Sequence, residues 1–247
     1  MQKLVDFHCH IDLYPEYRRL IDTCERENMF TLAVTTTPRA WPQNRDLMRQ
    51  KKNIFPALGL HPQLIRKDSR QDLILWEKYL PEAKYVGEVG IDASNGFNHT
   101  LKEQKIFFKH ILKTCAEAGG KILSVHSVRS ANIILDIIEE FMPKGRGKVV
   151  LHWFSGSKTE AKRAIEAGCF FSVNTKMLAT KKGIALIKEM PFERLLTETD
   201  GPFIKWKNQP VKPSDIMYAI NLLASVKNKT PEFIVEKIAS NLKILLG

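Results

Sequence analysis

The sequence lacks any uninterrupted apolar run of about 18 residues, which excludes a membrane-spanning helix. Cysteine is scarce, and its four copies (Cys9, Cys24, Cys115, Cys169) show no C-x-x-C spacing. That argues against a zinc knuckle or a redox pair. The four thiols fall inside strand-like and helix-like runs, as small buried residues do, and a reducing cytoplasm is the expected compartment. There is no low-complexity tract, no repeat and no linker rich in glycine, proline or serine. One domain over residues 1–247 is therefore expected. Nor does the start read as a secretory signal, because an apolar run carrying aspartate and histidine begins within the first ten residues. Acidic residues are outnumbered: 38 Lys and Arg against 27 Asp and Glu give a net charge of +11. A polyanionic partner such as nucleic acid fits that excess. So does a solvated lysine-rich surface, and composition does not choose between them.

What is present is an alternation of short apolar runs and amphipathic stretches. Strands are predicted in "KLVDFHCH", "FTLAVTTT", "IFPALGLH", "KYVGEVGI", "KILSVH", "KVVLHWF", "CFFSVN" and "RLLTETD". Helical runs such as "EYRRLIDTCEREN", "EQKIFFKHILKTCAEAG", "SANIILDIIEEFM" and "KTEAKRAIEAG" lie between them. Gly119, Gly120 and Gly168 stand where left-handed helix ends are expected. Pro213-Ser214 and Thr230-Pro231 open two further helices. About eight strands, each followed by a helix, predict an α/β fold: a single-domain (β/α)8 TIM-like barrel, with a doubly wound sheet as the competing architecture.

In such a barrel the active site is built at the C-terminal ends of the strands. Those ends carry His8 and His10, then His61 in "GLHP", Glu88 in "GEVGID", His126 in "SVHS", His152 in "LHWFSG" and Asp200 in "TETDGP". Residues i and i+2 of a strand share a face, so His8 and His10 point together and Cys9 points away. Any one of these residues alone reads as a hydrogen-bonded histidine, a helix cap or a turn residue. Histidines and carboxylates gathered at one rim read as a metal centre.

The ordered set "DFHCHID", "GLHP", "GEVGID", "VHS", "HWFSGS" and "TETDGPF", with an Asn-x-x-x-Leu-Leu tail from Asn241, resembles the TatD family of metal-dependent deoxyribonucleases nearly end to end. "VTTTPRAWP" and the Trp of "HWFSGS" further resemble the QatD branch, found in the Qat anti-phage defence systems. The resemblance implies a distorted barrel with two divalent metals. It implies His8, His10, Glu88 and Asp200 at one metal and Glu88, His126 and His152 at the other, with Glu88 bridging. Two cations about 3.5–4 Å apart can share a water and clamp the oxygens of a phosphodiester. Asp200 is then both ligand and acceptor of the water's proton. Glu198 and Asp92 are candidates for orienting the histidines. His61 resembles a position that contacts substrate phosphate, although Pro62 after it suits a structural turn equally. Mixed imidazole and carboxylate ligation admits magnesium, manganese or zinc.

The stretches "NTKMLATKKG" and "DGPFIKWKNQPVKP" are read as loops overhanging the metals. They carry Lys176, Lys181, Lys182, Lys205, Lys207 and Lys212, with Phe203 and Trp206 interleaved. Cations neutralise phosphates and aromatic faces stack unpaired bases, a mixture suited to single-stranded DNA. Solubilising lysines around a packed Trp are the plainer alternative. Arg39 and Trp41 are candidates for the same cleft. The chain departs from the family pattern at "HSVRS", where Val128 displaces the expected arginine to Arg129. It departs again at "ASNGFNHT" after Asp92, so the grip on phosphate and the substrate preference are altered. The expected activity is a DNase of the 3'-5' exonuclease type in phage defence, working with other proteins of that system. A metallohydrolase acting on another or a modified-nucleotide substrate is one alternative. A mainly structural subunit of a defence complex is the other, and the retention of every expected ligand weighs against it.

Overall fold

Strands and helices alternate through most of the chain in the computed structural model, which describes residues 3–247. In order they are β1 Val5–Cys9, α1 Tyr17–Arg26, β2 Phe30–Val34, α2 Trp41–Met48, β3 Ile54–Leu58, α3 Arg70–Tyr79, β4 Tyr85–Gly90, α4 Leu101–Ala118, β5 Lys121–His126 and α5 Ala131–Phe141. There follow β6 Gly147–His152, α6 Lys158–Glu166, β7 Phe170–Val173, α7 Thr175–Leu178, α8 Lys181–Glu189, β8 Leu195–Thr197, β9 Lys205–Trp206, β10 Gln209–Pro210, α9 Ile216–Lys227 and α10 Pro231–Leu246. Strands β1 to β8 lie side by side in sequence order and every ladder between them is parallel. Most are buried on both faces, which is why they read as continuous apolar runs rather than as alternating ones. The expected α/β barrel is the fold, and the doubly wound alternative is set aside.

Local chemistry sets the element ends. At α6 a capping box joins Ser157 and Glu160; at α10 the Thr230 hydroxyl accepts the Phe233 N–H, with Pro231 in the first turn. Gly119 and Gly168 follow α4 and α6 with positive φ, as their positions in the sequence suggested. Three helices were not legible as such. Helix α2 is short, α3 mixes charged and apolar residues with only Trp76 buried, and α8 begins inside a lysine-rich stretch. The stretch read as the loop "NTKMLATKKG" is in fact α7 and the start of α8. Asn174 caps the first of these and Thr180 the second, so short polar residues that suggest a loop are here helix caps. The other presumed loop contains the hairpin β9–β10.

Closure of the ring matters to the site. Strands β8 and β1 meet without a regular ladder among the described residues. Instead the Thr197 hydroxyl donates to Val5 O (2.6 Å), the Asp200 N–H to His8 O (2.9 Å) and the His10 N–H to Gly201 O (2.8 Å). The buried Asp6 carboxylate accepts from both the N–H (2.8 Å) and the hydroxyl (2.6 Å) of Thr199. This seam fixes the end of β8 against the end of β1. It therefore positions Asp200 relative to His8 and His10.

Candidate metal centre

Two register irregularities shape the rim. The β1–β2 ladder slips between Asp6 and Cys9, and the β4–β5 ladder between Val86 and Val89. Bulges of this kind re-aim side chains at strand ends, and these two flank His8 and Glu88. As expected from period two, Cys9 faces away, into a second apolar cluster with Ile11, Leu20 and Ile21. The loop residues after β5, β6 and β8 then complete a cavity of about 690 Å³ lined in part by His61, Glu88, His126, His152, Asp200 and Phe203.

Glu88 is the centre of this arrangement. Its Oε2 lies 3.3 Å from His8 Nε2 and 3.1 Å from His10 Nε2. Its Oε1 lies 2.5 Å from His126 Nδ1, 2.9 Å from His152 Nε2 and 3.2 Å from His61 Nε2. Asp200 Oδ1 stands 3.8 Å from Nε2 of both His8 and His10. One carboxylate thus presents a separate oxygen to each of two imidazole groups. His8, His10 and Glu88 form one set whose ligand atoms converge closely enough to hold a metal ion. His61, Glu88 and His126 form a second, and His8, His152 and Glu198 a third. His61, expected near substrate phosphate or in a structural turn, also reaches Glu88 Oε1, at 3.2 Å against 2.5 Å for His126 and 2.9 Å for His152.

The outer nitrogens of His8, His126 and His61 are hydrogen-bonded from behind, whereas those of His10 and His152 have no hydrogen-bond partner among the described residues. His8 Nδ1 meets Ser124 Oγ at 2.7 Å, and His126 Nε2 meets Asp92 Oδ2 at 3.2 Å. His61 Nδ1 accepts the Gln63 N–H at 3.2 Å. His152 Nδ1 lies 3.6 Å from Glu198 Oε1, and Glu198 itself is anchored by Ser172, Asn174 and the Trp153 N–H. Asp92 and Glu198 therefore stand where orienting groups were expected. Asp92 in turn accepts from Gln63 and Ser94.

Electrostatics follow from burial and crowding. Burial works against the charge on Glu88, but the imidazoles of His61, His152 and His8 outweigh it and hold the carboxyl well below its usual range. Burial lowers His8 well below the ordinary histidine value and lowers His61 as well. His152 goes the other way: burial is overcome by the charges of Glu88 and Glu198. Asp200 is raised well above the ordinary value, first by burial and then by Glu198 and Glu88, with His152 opposing. The donors fit divalent cations: buried imidazole nitrogens and carboxylate oxygens converge, and no Lys or Arg lines the cavity among the described residues.

The remaining expected residues are more dispersed. Phe203 is 59% exposed, lines the cavity and meets the His10 ring edge-on at 4.9 Å. Lys205, Trp206 and Lys207 belong to the β9–β10 hairpin and do not line the cavity; Trp206 instead stacks on Tyr218 of α9. Lys212 pairs with Glu16. Exposed Arg129 donates to Asn95 and lines a neighbouring pocket, which it shares with Lys182. Lys176 lies beside a further groove, and Lys181 is exposed. Arg39 pairs with Asp72 on the surface. Trp41 requires a correction: it is 1% exposed, packed on Tyr79 under the Arg45 guanidinium, and takes no part in the cleft. It opens α2, and the helix turns its ring into the core. Sequence reasoning also left out Leu64, Val128 and the ring of Trp153 as cavity walls, since apolar residues beside polar motifs carry no signal of facing a pocket.

A parallel barrel with such donors at its strand ends defines a metal-dependent hydrolase. Residues 5–247 match the family model described as TatD related DNase, and the chain belongs to that family. The human deoxyribonuclease TATDN3 is 26% identical, with 96% of this chain and 92% of that protein aligned. An uncharacterised metal-dependent hydrolase of Methanocaldococcus jannaschii is 28% identical over 97% of this chain and 95% of its own. Among solved structures, the TatD homolog YJJV of Escherichia coli K12 superposes with a TM-score of 0.87 at 22% identity, covering 98% and 97% of the two chains. No helix among the described residues is long and apolar enough to cross a membrane.

Proposed function

We propose that this metal-dependent hydrolase is a deoxyribonuclease that removes nucleotides from ends of single-stranded DNA, with 3'-5' polarity, using two divalent ions. The observation that carries the reading is Glu88, whose two oxygens face two histidine sets beside a cavity that no Lys or Arg lines among the described residues. An anionic diester entering such a cavity needs positive charge that the side chains lining it do not provide. His8, His10, Glu88 and Asp200 would hold one ion, and Glu88, His126 and His152 the other, with His61 beside the second. When bound, the ions supply charge for the phosphodiester oxygens and acidify the attacking water. Asp200 accepts the water's proton, as a buried carboxylate 3.8 Å from Nε2 of both His8 and His10. Glu198 and Asp92 keep His152 and His126 turned inward.

Phe203 and Trp153 offer flat faces beside the centre for an unpaired terminal base. The excess of 11 positive charges favours approach of a polyanion. The names of the relatives, deoxyribonuclease among them, support the same substrate class. The likeness of "VTTTPRAWP" and Trp153 to the QatD branch supports work beside other proteins of an anti-phage system, in the cytoplasm. The test is cleavage of end-labelled single- and double-stranded DNA with magnesium, manganese or zinc, beside Glu88→Ala and His126→Ala. The expected result is metal-dependent shortening of the single strand from its 3' end, abolished in both variants. Uptake of metal with no cleavage of any DNA would overturn the nuclease reading.

A further inference from the structure

Beside the metal centre, and sharing Ser127 and Ser155 with its walls, lies a second pocket of about 650 Å³ at the start of α5. Three features make it an anion site. First, α5 lacks a side-chain cap: the hydroxyl of Ser130, which stands at the N-cap, donates instead to Ile91 O at 2.7 Å. The N–H groups of the first turn, at Ala131, Asn132 and Ile133, are left facing outward at the positive end of an 11-residue helix. Second, Ser127 is 4% exposed, yet its hydroxyl has no hydrogen-bond partner among the described residues. A buried hydroxyl without a partner is unfavourable unless a ligand supplies one. Third, Lys182 and Arg129 line the rim, and each keeps donors spare beyond its bond to Ser155 O and to Asn95 Oδ1. The one carboxylate in the lining, Glu160, is engaged by the Ser157 N–H in the α6 capping box.

We infer that this pocket binds a second, non-scissile phosphate of the DNA strand, the one next to the phosphate at the metal centre. The inference rests on the proposed nuclease reading for its ligand and adds a subsite to it. The Ser127 hydroxyl and the α5 amides donate to the phosphate oxygens, while Lys182 contributes charge. A strand end is then gripped at two successive phosphates, and a substrate with only one gains nothing from the pocket.

The test compares thymidine dinucleotide, with one phosphate, and trinucleotide, with two, on wild type and Ser127→Ala. It is paired with fluorescence anisotropy of labelled oligothymidylate binding to the metal-free protein in EDTA. Ser127→Ala is expected to lower kcat/KM for the trinucleotide about tenfold more than for the dinucleotide, and to weaken metal-free binding by a similar factor. Lys182→Gln is expected to lower the slope of log Kd against log salt by about 0.7, a slope that Ser127→Ala leaves in place. Equal effects of Ser127→Ala on both substrates, with unchanged anisotropy, would overturn the subsite. Failure of wild type to cleave either substrate with any metal would instead overturn the nuclease reading, and anisotropy alone would then decide the subsite.

Discussion

At the scale of single residues, the site is a hierarchy around Glu88. Its oxygens are shared, and the rings of His8, His126 and His61 are held on their far side by Ser124, Asp92 and the Gln63 N–H. Glu198 stands 3.6 Å behind His152, and His10 Nδ1 has no hydrogen-bond partner among the described residues. Asp92→Asn and Glu198→Gln should each lower metal affinity or activity about 10–100-fold without unfolding the chain, as loss of such orienting groups does elsewhere. Isothermal titration with manganese on the purified variants checks this, and unaltered affinity in both would remove their assigned role. The histidines and carboxylates were legible in the sequence because polar ionisable residues at the ends of apolar strands are costly unless used. Trp41 misled because an aromatic near a motif looks the same whether it faces a cleft or the core; only the phase of α2 decides.

At the scale of elements, the seam between β8 and β1 carries a titratable group. Burial raises the Asp6 carboxyl from 3.8 to about 7, with bonds from Thr199 opposing. A group whose proton affinity is higher in the folded state favours folding at low pH, and that contribution is lost as pH rises toward its folded value. Asp6→Asn does not titrate, so the stability of metal-free wild type relative to this variant should fall between about pH 4 and pH 7 and then level off. Urea unfolding across that range measures it, and a flat difference would contradict the assigned burial cost. On the opposite side of the rim, Gly90 has φ +143°, and a Cβ there would lie 2.1 Å from the His126 carbonyl oxygen. Gly90→Ala should destabilise by about 3 kcal/mol or more and disturb His126, read by thermal unfolding and metal titration. The strands were legible from their apolar runs, and the closing order followed from their number. Helix α3 was not, because of its ten residues only Trp76 is buried and the barrel rather than its own periodicity holds it. Helix α8 was not, because its Thr180 cap and lysine-rich start look like a loop.

For the whole molecule, a positively charged barrel surrounds a cavity that itself has no Lys or Arg in its lining among the described residues. Long-range charge would favour approach of the proposed polyanion, and bound cations would capture it. If ions bind the folded chain and not the unfolded one, manganese should stabilise wild type by about 2.7 kcal/mol for each site held at a hundredfold excess over its Kd. Thermal unfolding should show that gain vanish with EDTA and shrink in Glu88→Gln. The barrel and the family were readable from six short motifs in order, whereas the substrate-facing walls were not, since loops place them by packing. The central claim is that each oxygen of Glu88 serves its own cation. Anomalous diffraction from crystals soaked in manganese tests it most directly: two peaks are expected, one between Glu88 Oε2 and the His8–His10 pair and one between Glu88 Oε1 and the His126–His152 pair. A single peak on one side of Glu88, or none at full soaking, would contradict it.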